Sequence, residues 1–191
     1  MTRIHLVRHG KVENPDSVRY GLLAGFHLSE LGARQVAATA RHVASWPIAA
    51  IVSSPLDRAT ETAAILAGAL ALPVAIEPRV IEAPSLFDGL PRTSFLRPVM
   101  WPRLANPLRP SWAEPFAAVA RRMRLAILDL REAYRDREVV VVSHQGPIWL
   151  ARRSFEARGP LWASRMRCGY ASITTLEFER GRFVASHYWC P

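Results

Sequence analysis

The sequence has little cysteine and almost no lysine. Its two cysteines, Cys168 and Cys190, are too few for a disulfide framework, and neither belongs to a Cys-x-x-Cys pair of the kind that binds zinc or exchanges electrons. Both read as incidental. No apolar run approaches the roughly 20 residues that cross a bilayer, so no membrane association is expected. The opening residues Met1 to Val7 lack the charged region, long apolar stretch and cleavage site of a leader. A cytoplasmic location is the resulting expectation. Internal repeats, low-complexity tracts and a dividing linker are also missing, so a single domain over 1–191 is expected.

Lysine occurs once, as Lys11, beside 24 arginines; with 16 carboxylates the net charge is +9. The arginines run from Arg3 to Arg182 without a long cluster or a nucleic-acid-binding motif, which favours a solvated basic surface over a nucleic-acid groove. The charge does suit small phosphorylated anions.

Residues 3–7 and the run Val139 to Val142 are short, continuously apolar and β-branched, as in central strands covered on both faces. Residues 48–53 and 74–77 read the same way. Between them, Ser29 is placed to cap a helix over 30–45. Ser54 followed by Pro55 reads as the cap and first position of another running to about 72. A third helix is expected over 114–134 and a fourth after Pro147. Alternating strands and helices imply a three-layer α/β/α sandwich with a mostly parallel central sheet. Residues 173–178 and 183–188 read as a hairpin closing one edge.

The stretch 84–115 holds seven of the fifteen prolines, interleaved with Phe87, Phe95, Trp101 and Trp112. It reads as an irregular, lid-like insertion whose Trp101, Trp112, Arg92, Arg97 and Arg103 are candidates for the mouth of a site.

Three strand ends carry chemistry. The first leads into Arg8-His9-Gly10, the second into Ser54 to Thr62 with Arg58 in the first turn of a helix, and the Val142 strand into Ser143-His144-Gln145. Ligands of open α/β sheets bind beyond the carboxyl ends of strands, so parallel pairing would bring two arginines and two imidazoles together. Such a set fits a phosphoryl dianion: guanidinium groups bind its oxygens, and an oriented imidazole is a competent nucleophile. A leaving alkoxide needs an acid. Glu82 follows the strand at 74–77 and is the best placed candidate, although spacing alone does not separate it from Asp88.

These elements resemble the histidine phosphatase superfamily, also called phosphoglycerate mutase-like. Its Arg-His-Gly is intact at Arg8-His9-Gly10, and its Ser-Pro-Leu-x-Arg-Ala-x-x-Thr at Ser54 to Thr62. Val80 and Glu82 are similar to its Leu-x-Glu element, and Ser143-His144-Gln145 to its late Ser-His-Gly. Tyr20 to Leu31, with Gly25, Ser29 and, just beyond, Gly32, resembles a glycine-containing stretch of the family. Lys11 and Val12 depart from the pattern, Gln145 replaces a glycine, and Asn14 lies five rather than six residues after His9.

The resemblance implies that His9 is the nucleophile and becomes phosphorylated, that Arg8, Arg58 and His144 bind the phosphoryl group, that Glu82 is the general acid, and that Asn14 contacts substrate. It implies a metal-independent phosphatase acting on a small phosphorylated substrate, with no cofactor. The alternatives are phosphoglycerate mutase-type phosphoryl transfer and a catalytically silent phospho-ligand binder. The sequence runs only to Cys190-Pro191 after its last strand, with no extended tail to shield a phosphohistidine, and so hydrolysis is expected over isomerisation. Oligomeric state is not legible.

Overall fold

The structure, a computed structural model, describes residues 1–91, 93–94, 113–156 and 166–191. Much of the proline-rich stretch, including Arg92, Phe95, Arg97, Trp101, Arg103 and Trp112, lies outside the described residues.

Among the described residues six strands form one sheet: β1 (Thr2–Arg8), β2 (Ile48–Ser53), β3 (Val74–Ile76), β4 (Glu138–Ser143), β5 (Ile173–Glu179) and β6 (Arg182–Trp189). Their order is β3-β2-β4-β1-β5-β6. The first four pair in parallel, and β5 and β6 add antiparallel at one edge. The β5–β6 turn has Arg180 and Gly181 both at positive φ (47° and 78°). Two such residues give the turn a twist matching that of the strands it joins.

The helices are α1 (Glu30–Val43), α2 (Asp57–Leu70), α3 (Phe116–Ala133) and α4 (Gln145–Glu156), with a 3₁₀ turn at Pro78–Val80. Apolar alternation assigns them to layers. Ile4, Leu6, Val139 and Val141 face one way, onto Val119, Met123 and Ile127 of α3 and Ile148 of α4. Val7, Val140, Val142 and Ile51 face the other, onto Val36 and Val43 of α1 and Leu66 of α2. A continuous valine run is thus what a strand covered on both sides requires. Each such side chain contributes roughly 1.5–3 kcal/mol on burial. Among the described residues no helix is long and apolar enough to cross a membrane.

Two helix starts differ from the sequence expectation. Ser29 caps α1 as expected, its hydroxyl accepting the amide of Gly32. Ser54 does not cap α2; the cap position falls at Leu56, with no side-chain cap bond. The Ser54 hydroxyl is instead in a 2.8 Å hydrogen bond with His144 Nε2. α4 begins at Gln145, ahead of Pro147, because a proline in the first turn lacks only an N–H that has no helical acceptor there. At Gly32 a Cβ would come within 1.9 Å of the Lys11 carbonyl oxygen, so only glycine lets α1 pass this close to the chain leaving β1.

Strand register positions the site. Arg8 at the end of β1 lies opposite Ser143 of β4, and Ser53 of β2 lies opposite both Val142 and Ile76. Three further backbone bonds continue the ladder past the strand ends: His9 N to Ser143 O (3.1 Å), Ser54 N to Val142 O (3.0 Å) and Glu77 N to Ser53 O (2.9 Å). Four carboxyl ends therefore finish at one level.

Candidate active site

At that level the structure gathers residues from four chain segments. Arg8 and His9 leave β1, Arg58 stands in the first turn of α2, His144 immediately precedes α4, and Glu82 follows the 3₁₀ turn after β3. Both helices point their amino-terminal ends here, where free amides and the helix dipole favour an anion. A cavity of about 430 Å³ opens at the rim, lined by Arg8, His9, Tyr20, Glu82, Gln145 and Gly146 among others.

The His9 ring fixes its own tautomer. Nδ1 lies 2.7 Å from the Gly10 carbonyl oxygen, which can only accept, so Nδ1 carries the proton and Nε2 the lone pair. Burial, with the charges of Arg58 and Arg8, holds the imidazole well below its ordinary pKa. A neutral ring with an unprotonated Nε2 is the nucleophilic form. The His144 ring centroid lies 5.2 Å from that of His9. Its pKa is likewise well below the ordinary value, first through burial and then through His9, Arg58 and Arg8. The buried His144 Nδ1 has no hydrogen-bond partner among the described residues.

The two guanidinium groups are the most unusual feature. Arg8 is 8% exposed and Arg58 1%, yet among the described residues neither pairs with a carboxylate, and the Nε of each has no partner. Arg8 donates one bond to the Cys168 carbonyl (2.7 Å), and Arg58 donates to the Gly21 carbonyl. Buried charge without a counter-charge is expensive unless an anion completes the site. A second depression, at the opposite ends of the strands around His5, is the contrast. There His5 bonds Thr175 (2.9 Å) and Glu138 (3.0 Å), and Arg3 bonds Glu138 and Glu177 (both 2.7 Å), so the charges are already satisfied internally.

Burial raises the Glu82 carboxyl above its ordinary value, outweighing the lowering effect of Arg58, Arg8 and Arg122. Oε1 accepts the Ala83 amide at 2.9 Å. A Cβ at Gly146 would stand 3.2 Å from that oxygen, so the glycine keeps the start of α4 clear of the carboxylate. Asp88, the other candidate acid, turns elsewhere: its Oδ2 accepts the amides of Leu22 (3.1 Å) and Ser85 (3.3 Å), tying two loops together. Asn14 engages both ends of its carboxamide with the backbone of Val18 (2.9 and 3.1 Å) and is not among the residues lining the cavity.

The motifs did not reveal two tyrosines. The Arg8 guanidinium carbon sits 3.9 Å from the Tyr170 ring centroid and that of Arg58 4.8 Å from Tyr20. The two hydroxyls lie 3.5 Å apart. Burial, then its partner hydroxyl, pushes the Tyr20 phenol up to about 12, so it stays neutral and its π-face supports the cation without adding negative charge. Tyr20 falls inside a recognised stretch but at no motif position; Tyr170 carries no sequence signal. Among the described residues no group of three His, Cys, Asp or Glu side chains is placed to hold a metal ion.

An α/β sheet presenting Arg-His and a second Arg and His at one rim defines a phosphoglycerate mutase-like fold. The model of the histidine phosphatase superfamily (branch 1) matches residues 4–190, and the chain belongs to that superfamily. It is 42% identical over 196 residues to the uncharacterized protein Rv0525 of Mycobacterium tuberculosis, covering 100% of this chain and 96% of that one. It is 30% identical over 157 residues to phosphoserine phosphatase 1 of Hydrogenobacter thermophilus, covering 78% and 73%. Among solved structures, mycobacterial glucosyl-3-phosphoglycerate phosphatase Rv2419c in complex with VO3 superposes with a TM-score of 0.82 at 29% identity, covering 98% of both chains.

Proposed function

We propose that the protein is a metal-independent phosphatase that hydrolyses a phosphomonoester through a phosphohistidine at His9. The carrying observation is the pairing of a neutral His9, its Nε2 unprotonated, with two buried guanidiniums that have no carboxylate partner among the described residues. Nε2 attacks phosphorus in line; a P–N bond forms as the P–O bond to the leaving group breaks. The Glu82 carboxyl gives its proton to the departing oxygen, releasing an alcohol. Water then attacks the phosphohistidine while the Glu82 carboxylate takes its proton. The P–N bond breaks, the electron pair returns to Nε2, and inorganic phosphate leaves. Arg8 and Arg58 supply the positive charge that stabilises the equatorial oxygens.

Hydrolysis of p-nitrophenyl phosphate is expected to continue in a metal chelator and to be blocked by vanadate, whose trigonal-bipyramidal form imitates the transferring group. A phosphorylated-metabolite panel, with 3-phosphoglycerate plus its bisphosphate cofactor included, completes the test. Binding without turnover of any compound would replace this reading with a silent binder, and isomerisation of 3-phosphoglycerate with that of a mutase.

Glu82→Gln separates the acid from the rest of the site. For an alkyl phosphate, kcat/KM is expected to fall about 10²–10⁴-fold, the usual contribution of a general acid. p-Nitrophenolate leaves without a proton, so its kcat/KM is expected to fall far less. The pH dependence follows from the shifts. His9, held below its ordinary value, stays neutral and active into the acid range. Activity on the alkyl ester declines as pH rises through the elevated Glu82 value, because only the protonated acid serves the first step. An equal loss for both esters in Glu82→Gln, or an alkaline limb unchanged by it, would remove Glu82 from this role.

A further inference from the structure

Arg122 lies outside every motif, on α3, yet its side chain is only 18% exposed. Its Nη1 donates to two carbonyl oxygens, those of Arg79 (2.7 Å) and Ile81 (2.6 Å). The Ile81 carbonyl belongs to the peptide immediately before Glu82. The other edge of the guanidinium grips Glu114, with Nε 3.1 Å from Oε1 and Nη2 2.9 Å from Oε2. Glu114 is itself fixed to the far side of the acid, its amide donating to the Pro84 carbonyl at 3.2 Å. Arg122 and Glu114 thus bracket residues 81–84 from both ends. The intervening Val80 carbonyl accepts the Ser143 hydroxyl at 2.6 Å, which joins the same turn to the residue before His144.

Resting on the assignment of Glu82 as the acid, we propose that Arg122 is the positioning residue of Glu82, holding the peptide from which the carboxyl projects so that its proton reaches the leaving oxygen. Glu82 is on an irregular segment, where neither a helix nor a strand fixes its direction. A displacement of about 1 Å in a catalytic group is enough for a 10²-fold loss. The task needs arginine: one planar group serves two carbonyls on one edge and a carboxylate on the other, whereas a lysine ammonium has no such fork. The positive charge also bears on Glu82 and on His144. It opposes the rise that burial imposes on the acid.

The test compares Arg122→Lys, Arg122→Met and Glu114→Gln with the parent, using kcat/KM for p-nitrophenyl phosphate and for an alkyl phosphate, with Tm measured in parallel. kcat/KM reports steps through leaving-group release, so it isolates the proton donation. The expected result is a loss about 10–100-fold larger for the alkyl ester than for the aryl ester in both Arg122 variants. A smaller loss in the same direction is expected for Glu114→Gln, which keeps the shape of the bracket if the arginine variants fail to fold. A lower Tm with equal losses on both esters, or no loss on either, assigns Arg122 to holding α3 against the turn and overturns the proposal. Glu82→Gln run beside them separates the two readings. If it shows no leaving-group dependence, the acid assignment fails. If it does and the Arg122 and Glu114 variants do not, only the positioning role fails.

Discussion

His9→Ala is expected to abolish turnover, with a fall in kcat on the order of 10⁵–10⁶, the scale of removing the nucleophile from a covalent hydrolase. Enzyme quenched in base should also lack the phosphoryl label that the parent carries, one stable to base and released by acid. The variant leaves the cationic cradle in place, so substrate and inorganic phosphate should still bind. The fold should persist as well: His9 is buried neutral, and its loss removes one hydrogen bond to the Gly10 carbonyl, about 1 kcal/mol. Circular dichroism and phosphate titration check both points. Retained labelling would place the covalent adduct elsewhere, and the neighbouring His144, with its Nε2 already hydrogen-bonded to Ser54, would have to be reconsidered.

Arg58 governs the second large effect. Its replacement by alanine or methionine is expected to lower kcat by about 10²–10³, the loss found when one preorganised donor to a developing anion is removed, and to weaken vanadate inhibition. The consequence for stability has the opposite sign. The guanidinium is 1% exposed, and burial lowers its pKa from the ordinary arginine value. Its hydrogen bond to the Gly21 carbonyl and the face of Tyr20 offset part of that burial, yet no carboxylate neutralises it among the described residues. Removing an uncompensated buried cation while keeping the volume relieves this penalty. Arg58→Met should therefore match or exceed the parent in Tm without ligand, and lose much of the stabilisation that phosphate gives the parent by binding the folded state. A Tm several degrees below the parent, with phosphate stabilisation intact, would mean that Arg58 is a packing residue.

Such coexistence of instability and activity is common where a site is prepared for charge it does not yet hold. Here the preparation is distributed. Both helix termini point at the site, and Arg8 lines its cavity with Arg58 buried in the first turn of α2. The His9 imidazole is held below its ordinary pKa by burial and by those same cations, and the Glu82 carboxyl is raised above its ordinary value by burial despite them. In the proposed reaction, a bound phosphoryl dianion would answer together the charges of Arg8 and Arg58, which no carboxylate pairs among the described residues.

Much of this was legible in the chain. Strand ends followed by Arg8-His9, Arg58 and His144 were readable because each junction is local: a β-branched apolar run, then polar groups, then a helix start. The valine run of β4 gave away its double burial, and the Arg180-Gly181 turn fell where the hairpin was expected. Choosing between Glu82 and Asp88 was beyond the sequence, since both lie in one irregular segment and differ only in what surrounds them. Glu82 meets the cavity and the amide of Ala83, whereas Asp88 meets two amides of neighbouring loops. The cap of α2 was misread for a related reason: the Ser54 hydroxyl has a partner ninety residues away that no local pattern announces. Tyr20, Tyr170 and Arg122 were invisible because their roles depend on which guanidinium, ring or carbonyl lies across from them.

Residue by residue, the sequence determined the kinds of chemistry available, the layers each strand would face, and the points where the chain would turn from strand to helix; these depend on side chains within a few positions of one another. Only the tertiary structure decided that these groups meet. β1 reaches its position beside β4 through pairing across about 135 residues, and Arg8 stands opposite Ser143 only in that register. A shift of one residue would turn the valines of β4 to the wrong layers and carry His9 away from His144, so it is the burial of both sheet faces that holds the reactive groups in place.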